Sequence, residues 1–418
     1  MKKKPQSRNN ATQQMYRSTS WQTVRFGDVV RDVNESERNP LDVGLERYVG
    51  LEHIEPQNLR LNRWGMLADS EISFTKRFRK GQVLFGKRRA YQRKVAIAEF
   101  DGICSSDILT FEPKDDALVP ELLPFIVQSD GFFEHALGTS SGSLSPRTRW
   151  SQLQDYEFPL PPKDEQHRIA NMLMAADEVV YSHSEVFTAT DNLADCLRSR
   201  LGIESSFAFD LHRIDDFVPP QGWKKTTGSE IVSAPITRGY TPTGSINTEK
   251  ASIPFIKVYN LCFDGNLDFS KDPTFIEKSV HEGELLRSQS LPGDVLINLT
   301  GPPMGKVSLV PNTYPAWNIN QAIARYRISD LLIRDYFLIY LQSHWAQNWF
   351  EMRAKKTSGQ KNITLQLAQQ LPVPIPPRGE MARFVQIYHA VVGSRDRVRQ
   401  HSIASSKLKS AILNGYFA

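Results

Sequence analysis

Between Lys76 and Lys94 the chain reads KRFRKGQVLFGKRRAYQRK, with basic side chains at 76, 77, 79, 80, 87, 88, 89, 93 and 94 and no acid. The apolar run GQVLFG in its middle predicts a short strand, so the cations gather at the strand's two ends. That arrangement suits Lys and Arg gripping phosphates while Gln or Arg reaches base edges. The candidate nucleic-acid contacts of this half are Lys76, Arg77, Arg79, Lys80, Lys87, Arg88, Arg89, Tyr91, Gln92, Arg93 and Lys94. Ser141, Ser143 and Arg147, around a Ser-Gly loop, join them. The second half is less charged and offers amides and hydroxyls at equivalent places: Asn298, Thr300, Asn318, Asn320 and Gln321, with Lys306. Lys355, Lys356, Gln360, Lys361 and Asn362 surround its own Ser-Gly loop. A solvated charged face is the ordinary alternative for such a run.

Several catalytic patterns almost form. Gly138 to Gly142 fits G-x-S-x-G, but a nucleophile elbow needs a strand before it and a helix after it, and here a predicted helix precedes. Thr300 to Val307, TGPPMGKV, lacks the spacing of a phosphate loop and has Val307 where a magnesium-binding hydroxyl belongs, so a turn between strands is expected. Asp107 with Glu112-Pro113-Lys114 mimics a nuclease set, though the second half does not repeat it. No HExxH motif occurs, and Cys104, Cys196 and Cys262 are scattered singly, which argues for a reducing compartment and against a zinc or disulfide framework. No catalytic residue or metal ligand is assigned.

The elements that would position these residues are written twice. KGQVLFGKRR (80–89) lines up with PGDVLINLTG (292–301), FIVQS ending at Ser129 with IYLQS ending at Ser343, and FPLPP (158–162) with VPIPP (373–377). Each half reads as short strands with turn punctuation, a helical interlude, a Ser-Gly loop, a proline strap and a long helix. The fold class expected is mixed α/β, with two tandem recognition domains over residues 21–162 and 205–377. Each is followed by a long helix, over 163–204 and 378–418, and the two helices pack as an antiparallel coiled coil. Ile169, Met172, Leu173, Ala176, Val180, His183, Phe187, Thr190, Leu193 or Ala194, and Leu197 form the first helix's stripe. Phe384, Val385, Tyr388, Val391, Val392, Val398, Leu408, Ile412 and Leu413 form the second, whose middle, GSRDRVRQHS, is polar.

Bulk composition narrows the class. The 418 residues exceed single-domain size. The formal charge of +5 is carried by the tail, because residues 1–20 contain Lys2, Lys3, Lys4, Arg8 and Arg17 and no acid, and this tail reads as disordered. No membrane-spanning run and no signal peptide is read from the sequence. A cytoplasmic, prokaryotic setting is expected.

PLPPKDEQHRIANMLMAADEVV (159–180) resembles the signature that follows each target-recognition domain in the DNA-specificity subunits of type I restriction–modification systems. Glu165-Gln166 and Arg168-Ile169 match it well, and LKSAILNGYFA at the end resembles that family's last helix. The second copy departs from it, with Glu380-Met381 in place of Glu-Gln. The resemblance implies a non-catalytic subunit whose two domains each read half of a bipartite site in double-stranded DNA. It implies partner contacts through Glu165, Gln166, Arg168, Ile169 and Glu380. The partners would be two modification subunits using S-adenosylmethionine and two restriction subunits using ATP and Mg2+, with no cofactor in this chain. A stand-alone DNA nuclease or hydrolase, and an assembly scaffold that does not touch DNA, remain the alternatives at this point.

Overall fold

A computed structural model of the chain describes residues 20–142, 145–200, 219–244, 246–301, 303–357 and 360–417. The basic tail and Ser143 lie outside the described residues. The chain divides into two compact units, Met1–Glu185 with Arg399–Ala418, and Val186–Val398.

In the first unit the strands are β1 (Gln22–Arg25), β2 (Val30–Asp32), β3 (Arg47–Val49), β4 (Gly65–Met66), β5 (Lys76–Phe78), β6 (Val83–Gly86), β7 (Val95–Ile97), β8 (Gly102–Cys104), β9 (Ile108–Pro113) and β10 (Glu157–Leu160). One sheet runs β2-β9-β6-β7, all antiparallel, and a second runs β4-β3-β8-β5 with β3 and β8 parallel. Two helices, α1 (Leu123–Gln128) and α2 (Asp130–Gly138), cover the first sheet. They are one apolar stretch broken at Ser129, whose side chain accepts from the Phe132 amide at 3.2 Å and restarts the helix. Phe26, Phe85, Phe111, Phe132 and Phe158 fill the space between as a connected aromatic cluster.

The proline strap is itself a strand: β10 pairs antiparallel with β1, Thr23 opposite Pro159. Proline is tolerated because this is a two-stranded ribbon with an open edge. The strap then delivers the chain into α3 (Lys163–Arg200), where the Glu165 and Gln166 amides donate to the Pro162 carbonyl at 2.9 and 3.0 Å.

The second unit repeats this plan. Its strands are β11 (Lys224–Thr227), β12 (Ala234–Arg238), β13 (Ala251–Ile256), β14 (Phe275–Glu277), β15 (Gln289–Ser290), β16 (Val295–Asn298), β17 (Val307–Leu309), β18 (Trp317–Ile319), β19 (Ile323–Arg327), β20 (Lys355–Thr357), β21 (Gln360–Asn362) and β22 (Pro372–Ile375). The sheets run β12-β19-β16-β17 and β14-β13-β18-β15, position for position the order of the first unit, and β11 pairs with the strap β22. Helices α4 (Leu331–Leu341) and α5 (His344–Arg353) are broken at Ser343, the counterpart of Ser129, which caps the Ala346 amide. Buried Tyr336 and Tyr340 donate to the Pro374 and Pro372 carbonyls, both at 2.6 Å, which ties the strap to α4. Helix α6 (Arg378–Phe417) follows.

Within each unit a stretch of α3 lies against a stretch of α6, and partner numbers rise along one helix as they fall along the other. In the first unit Lys409 pairs with Asp177, and the His183 and His401 rings meet at 5.9 Å. In the second, Arg395 bonds Asp191 at 3.2 Å, and Arg198 donates to the Tyr388 hydroxyl at 2.8 Å. The antiparallel sense is as expected, and the predicted stripes are buried or half-buried apart from Leu408, with Ala194 as the inward one of the two alternatives at its position. Ala194 is buried while Leu193 is 47% exposed, and Leu408 is 61% exposed. Arg395 and Lys409 are also buried, at 8% and 7% exposed, and Arg395 joins the polar middle of α6 to α3 by an ion pair where apolar packing was expected to weaken. No helix among the described residues is long and apolar enough to cross a membrane.

Candidate nucleic-acid interface

The basic run splits at β6. The residues before that strand find acids elsewhere in the fold. Lys76, nearly buried on β5, bonds Asp32 at 3.1 Å and the Ile108 carbonyl at 3.2 Å. Arg79 pairs with Glu35 at 2.9 Å, Arg77 lies 3.8 Å from Asp101, and the Lys80 amide donates to the Asp101 carboxylate. A run that is acid-free in sequence is thus largely neutralised in space. The residues after β6 begin at that strand's far end, where the Lys76 ammonium also reaches, since the Ile108 carbonyl it bonds belongs to the residue opposite Gly86.

There three loops converge. The Lys87 amide donates to the Asp107 carbonyl, the Thr148 amide to the Lys87 carbonyl, and the Arg89 amide to the Pro146 carbonyl, all at 2.8 to 3.0 Å. Asp107 accepts from Arg147 at 3.1 Å and from Arg88 at 3.4 Å, and the Arg88 and Arg89 guanidiniums reach the Ser145 hydroxyl. A cavity of about 300 Å³ is lined by Lys87, Ser141, Gly142, Ser145, Arg147, Thr148 and Arg149. Lys87, Arg88, Arg89, Arg147 and Arg149 therefore gather where these loops converge, with the Arg88 and Arg147 guanidiniums on Asp107, while Lys87 and Arg149 also line a second cavity with Lys76, Asp32 and Glu35. Arg149 was not among the sequence candidates. Its signal was RTRW (147–150), a second basic cluster beyond the Ser-Gly loop.

The rest of the loop is bound to the fold. Arg93 forms an ion pair with Asp130, donates to the Gln128 carbonyl at 3.2 Å and covers the Phe133 ring at 4.8 Å. Lys94 donates to the Leu51 carbonyl, and burial lowers its pKa from the usual ammonium value. Arg89 and Arg93 both have positive φ, 55° and 52°, a conformation costing a non-glycine residue about 1–2 kcal/mol. Gln92 is half-buried and Tyr91 is 54% exposed.

In the second unit the loop after β16 occupies the same topological place and meets the β20–β21 hairpin. Thr300 bridges Asn362, the Gly301 amide donates to the Lys361 carbonyl at 3.2 Å, and Ile363 bonds Leu299 at 2.8 Å. Lys355 and Lys356 are exposed on β20, and Lys361 pairs with Glu351; Gln360 lies on β21. The amides expected to read bases are mostly consumed by the fold. Asn298 is fully buried, donating to the Pro303 carbonyl at 3.0 Å and accepting from the Lys306 amide at 2.8 Å, so it closes the turn between β16 and β17. Asn318, also fully buried, bonds His281, Leu285 and Ser288 and has no exposed atom to offer DNA. Asn320 accepts from Ala322, Gln321 accepts from Thr241, and the Lys306 ammonium donates to the Val258 carbonyl at 3.3 Å.

The residues read as partner contacts face largely inward. Gln166 is 2% exposed: its carbonyl accepts from the Val119 amide at 2.9 Å, and its amide donates to the Ala117 and Pro161 carbonyls at 2.8 and 2.9 Å. Ile169 is fully buried in the core, and Glu165 accepts from the Trp21 indole at 2.8 Å and from Arg168 at 3.0 Å. Arg168 and Glu380 are exposed. Met381, buried at the place of Gln166, fills it with an apolar side chain. The signature is therefore first a helix-docking device. The catalytic near-misses dissolve likewise. Ser140 donates to the Leu137 carbonyl at a helix end, and Glu112 is bound by Arg31 and Gln82. Asp107 and Glu112 lie toward opposite ends of β9.

Comparison with known proteins agrees with this architecture. The model of the type I restriction modification DNA specificity domain matches residues 20–183. The chain is 26% identical over 186 residues to the EcoDI specificity subunit of Escherichia coli, covering 43% of this chain and 41% of that protein. It is 27% identical over 192 residues to the MjaIX specificity subunit of Methanocaldococcus jannaschii, 44% of this chain and 43% of that one. Each match spans less than half the length of those curated relatives. The fold extends further: a type I restriction-modification S subunit from M. genitalium aligns over 95% of this chain and 96% of its own, with a TM-score of 0.59 at 16% identity. Residues 20–183 match the type I restriction modification DNA specificity domain, and the chain is similar to the specificity subunits of type I restriction–modification systems.

Proposed function

We propose that this chain is the non-catalytic DNA-recognition subunit of a type I restriction–modification complex. Each unit reads one half of a bipartite site in double-stranded DNA, and α3 and α6 set the spacing and dock two methyltransferase subunits. The observation that carries this reading is the gathering of Lys87, Arg88, Arg89, Arg147 and Arg149 where three loops converge beside Asp107, at the strand end whose counterpart carries Lys355 and Lys356. Cations clustered at one edge neutralise phosphates and fix register on the duplex. S-adenosylmethionine would belong to the methyltransferase partners, and ATP with Mg2+ to motor-nuclease partners, in a prokaryotic cytoplasm.

Genome-wide mapping of methylated adenines in cells carrying the chain with its modification subunits tests this. The expected result is one bipartite motif that vanishes when the chain is deleted. Arg89→Ala in the complex should weaken binding to all sequences and lower the salt slope by about one, the mark of a lost phosphate contact. An unaltered methylation pattern on deletion would overturn the reading, as would DNA cleavage by the purified chain alone with Mg2+.

A further inference from the structure

We infer that Tyr91 is a base-contacting residue, a rigid aromatic probe that the fold holds in place to read one base pair, distinct from the neighbouring cations that grip phosphate. The inference rests on the DNA-recognition reading above and assigns one residue of that surface a role of its own.

The loop between β6 and β7 spends its contacts on not moving. Its centre is one tight turn, Ala90–Gln92, flanked by Arg89 and Arg93 in the left-handed conformation. The Gln92 amide donates to the Arg89 carbonyl and the Arg93 amide to that of Ala90, both at 2.8 Å. From outside, the Arg89 amide bonds Pro146 at 2.8 Å, the Gln57 amide bonds the Arg93 carbonyl at 3.1 Å, and Gly86 bonds Lys94 at 2.9 Å. Ala90, 2% exposed, plugs the core, and Arg93 is clamped by Asp130, Gln128 and the Phe133 ring.

The large side chain left at the apex is Tyr91, more than half exposed. Arg89 and Arg93, two residues to either side, hold an unfavourable backbone, yet the ring between them is not part of the buried core. Strain maintained around an exposed group points to a contact outside the chain. The partner's chemistry follows from the surroundings. Lys87, Arg88 and Arg89 on the same loop bring a polyanion to the surface, and an aromatic ring exposed on that loop meets bases, against a thymine methyl or an opened base step. Tyrosine suits such a probe because it has few rotors to immobilise on binding.

The test uses the full chain in its methyltransferase complex. Binding is measured on the methylated site, on single-base-pair variants of that site and on unrelated DNA, each at two salt concentrations. Tyr91→Ala should weaken binding to the cognate site about tenfold and flatten the preference at one position of one half-site. Its salt slope, its affinity for unrelated DNA and its melting temperature should match the parent's. Tyr91→Phe should keep the preference, because the ring makes the contact. The inference is overturned if Tyr91→Ala keeps the parent's preference at every position, or weakens all sequences equally, while Arg89→Ala still lowers the salt slope. A parent complex with no sequence preference would instead sink the reading on which it rests.

Discussion

Gln166 shows what one side chain does for this architecture. It satisfies one buried amide and two carbonyls at the junction of the strap, the segment before α1 and the helix α3. Gln166→Ala strands those groups in a closed space, and the expected loss is about 2–4 kcal/mol, read by chemical denaturation of the full chain. Arg168→Ala, at the exposed neighbour, should leave stability nearly unchanged and serves as the control. Residue type was legible here but role was not. A Glu-Gln pair at a helix start does not reveal whether it faces a partner or its own domain, because that depends on what folds over it. Asn298 and Asn318 misled for the same reason, since only burial separates an amide that reads DNA from one that closes a turn. The cations before β6 taught the converse, because their acids, Asp32, Glu35 and Asp101, lie outside the run they neutralise.

Elements were far more legible. The match of FIVQS with IYLQS ends on Ser129 and Ser343, the residues that break the paired helices in both units. The helical interlude was recognised in sequence, though its break was not, since an N-cap inside an apolar stretch is a weak signal. The hairpin β20–β21 escaped because its residues, KKT and QKN, have no apolar alternation. One joint between elements has a pH signature. Asp330 caps α4, accepting from the Leu332 and Ile333 amides, and also bonds Arg378 at the start of α6 at 2.6 Å. The Arg378 hydrogen bond above all, with the two amides, holds its carboxyl below the usual range, against the opposing effect of burial. A carboxyl with a depressed folded pKa stabilises above its unfolded value and loses that contribution as pH falls through the folded one. Asp330→Asn should therefore lower the melting temperature at neutral pH, and the gap to the parent should close as acid protonates Asp330 in the parent. Melting curves from neutral to strongly acid pH would show it, and a gap independent of pH would exclude it.

At the scale of the molecule, duplication is the organising fact, and near-constant offsets between the halves made it readable. The unlike surfaces of the two units were less so, since the second trades arginines for a lysine hairpin. If α3 and α6 set the distance between half-sites, adding one helical turn to both, after Glu185 and after Val398, should lengthen the spacer in the methylated motif and leave both half-sites unaltered. Methylation-site sequencing reads both features at once, and altered half-sites with an unaltered spacer would refute the ruler.

The ion pairs across the helices also answer a question of error. Apolar ridges alone tolerate slippage, because one leucine resembles the next a turn away. Lys409 does not. Sliding α6 by one turn would carry its ammonium about 5.4 Å from Asp177 and leave a cation unmatched in a closed space, and Arg395 would lose Asp191 in the same way. Lys409→Met should therefore cost stability, about 3 kcal/mol, because Asp177 is left without its partner. Lys409→Met with Asp177→Leu should recover most of it while permitting more than one alignment, visible as doubled resonances from the seam. The buried charges act as a keyway: they give up some possible stability so that the two rods can mate in one way.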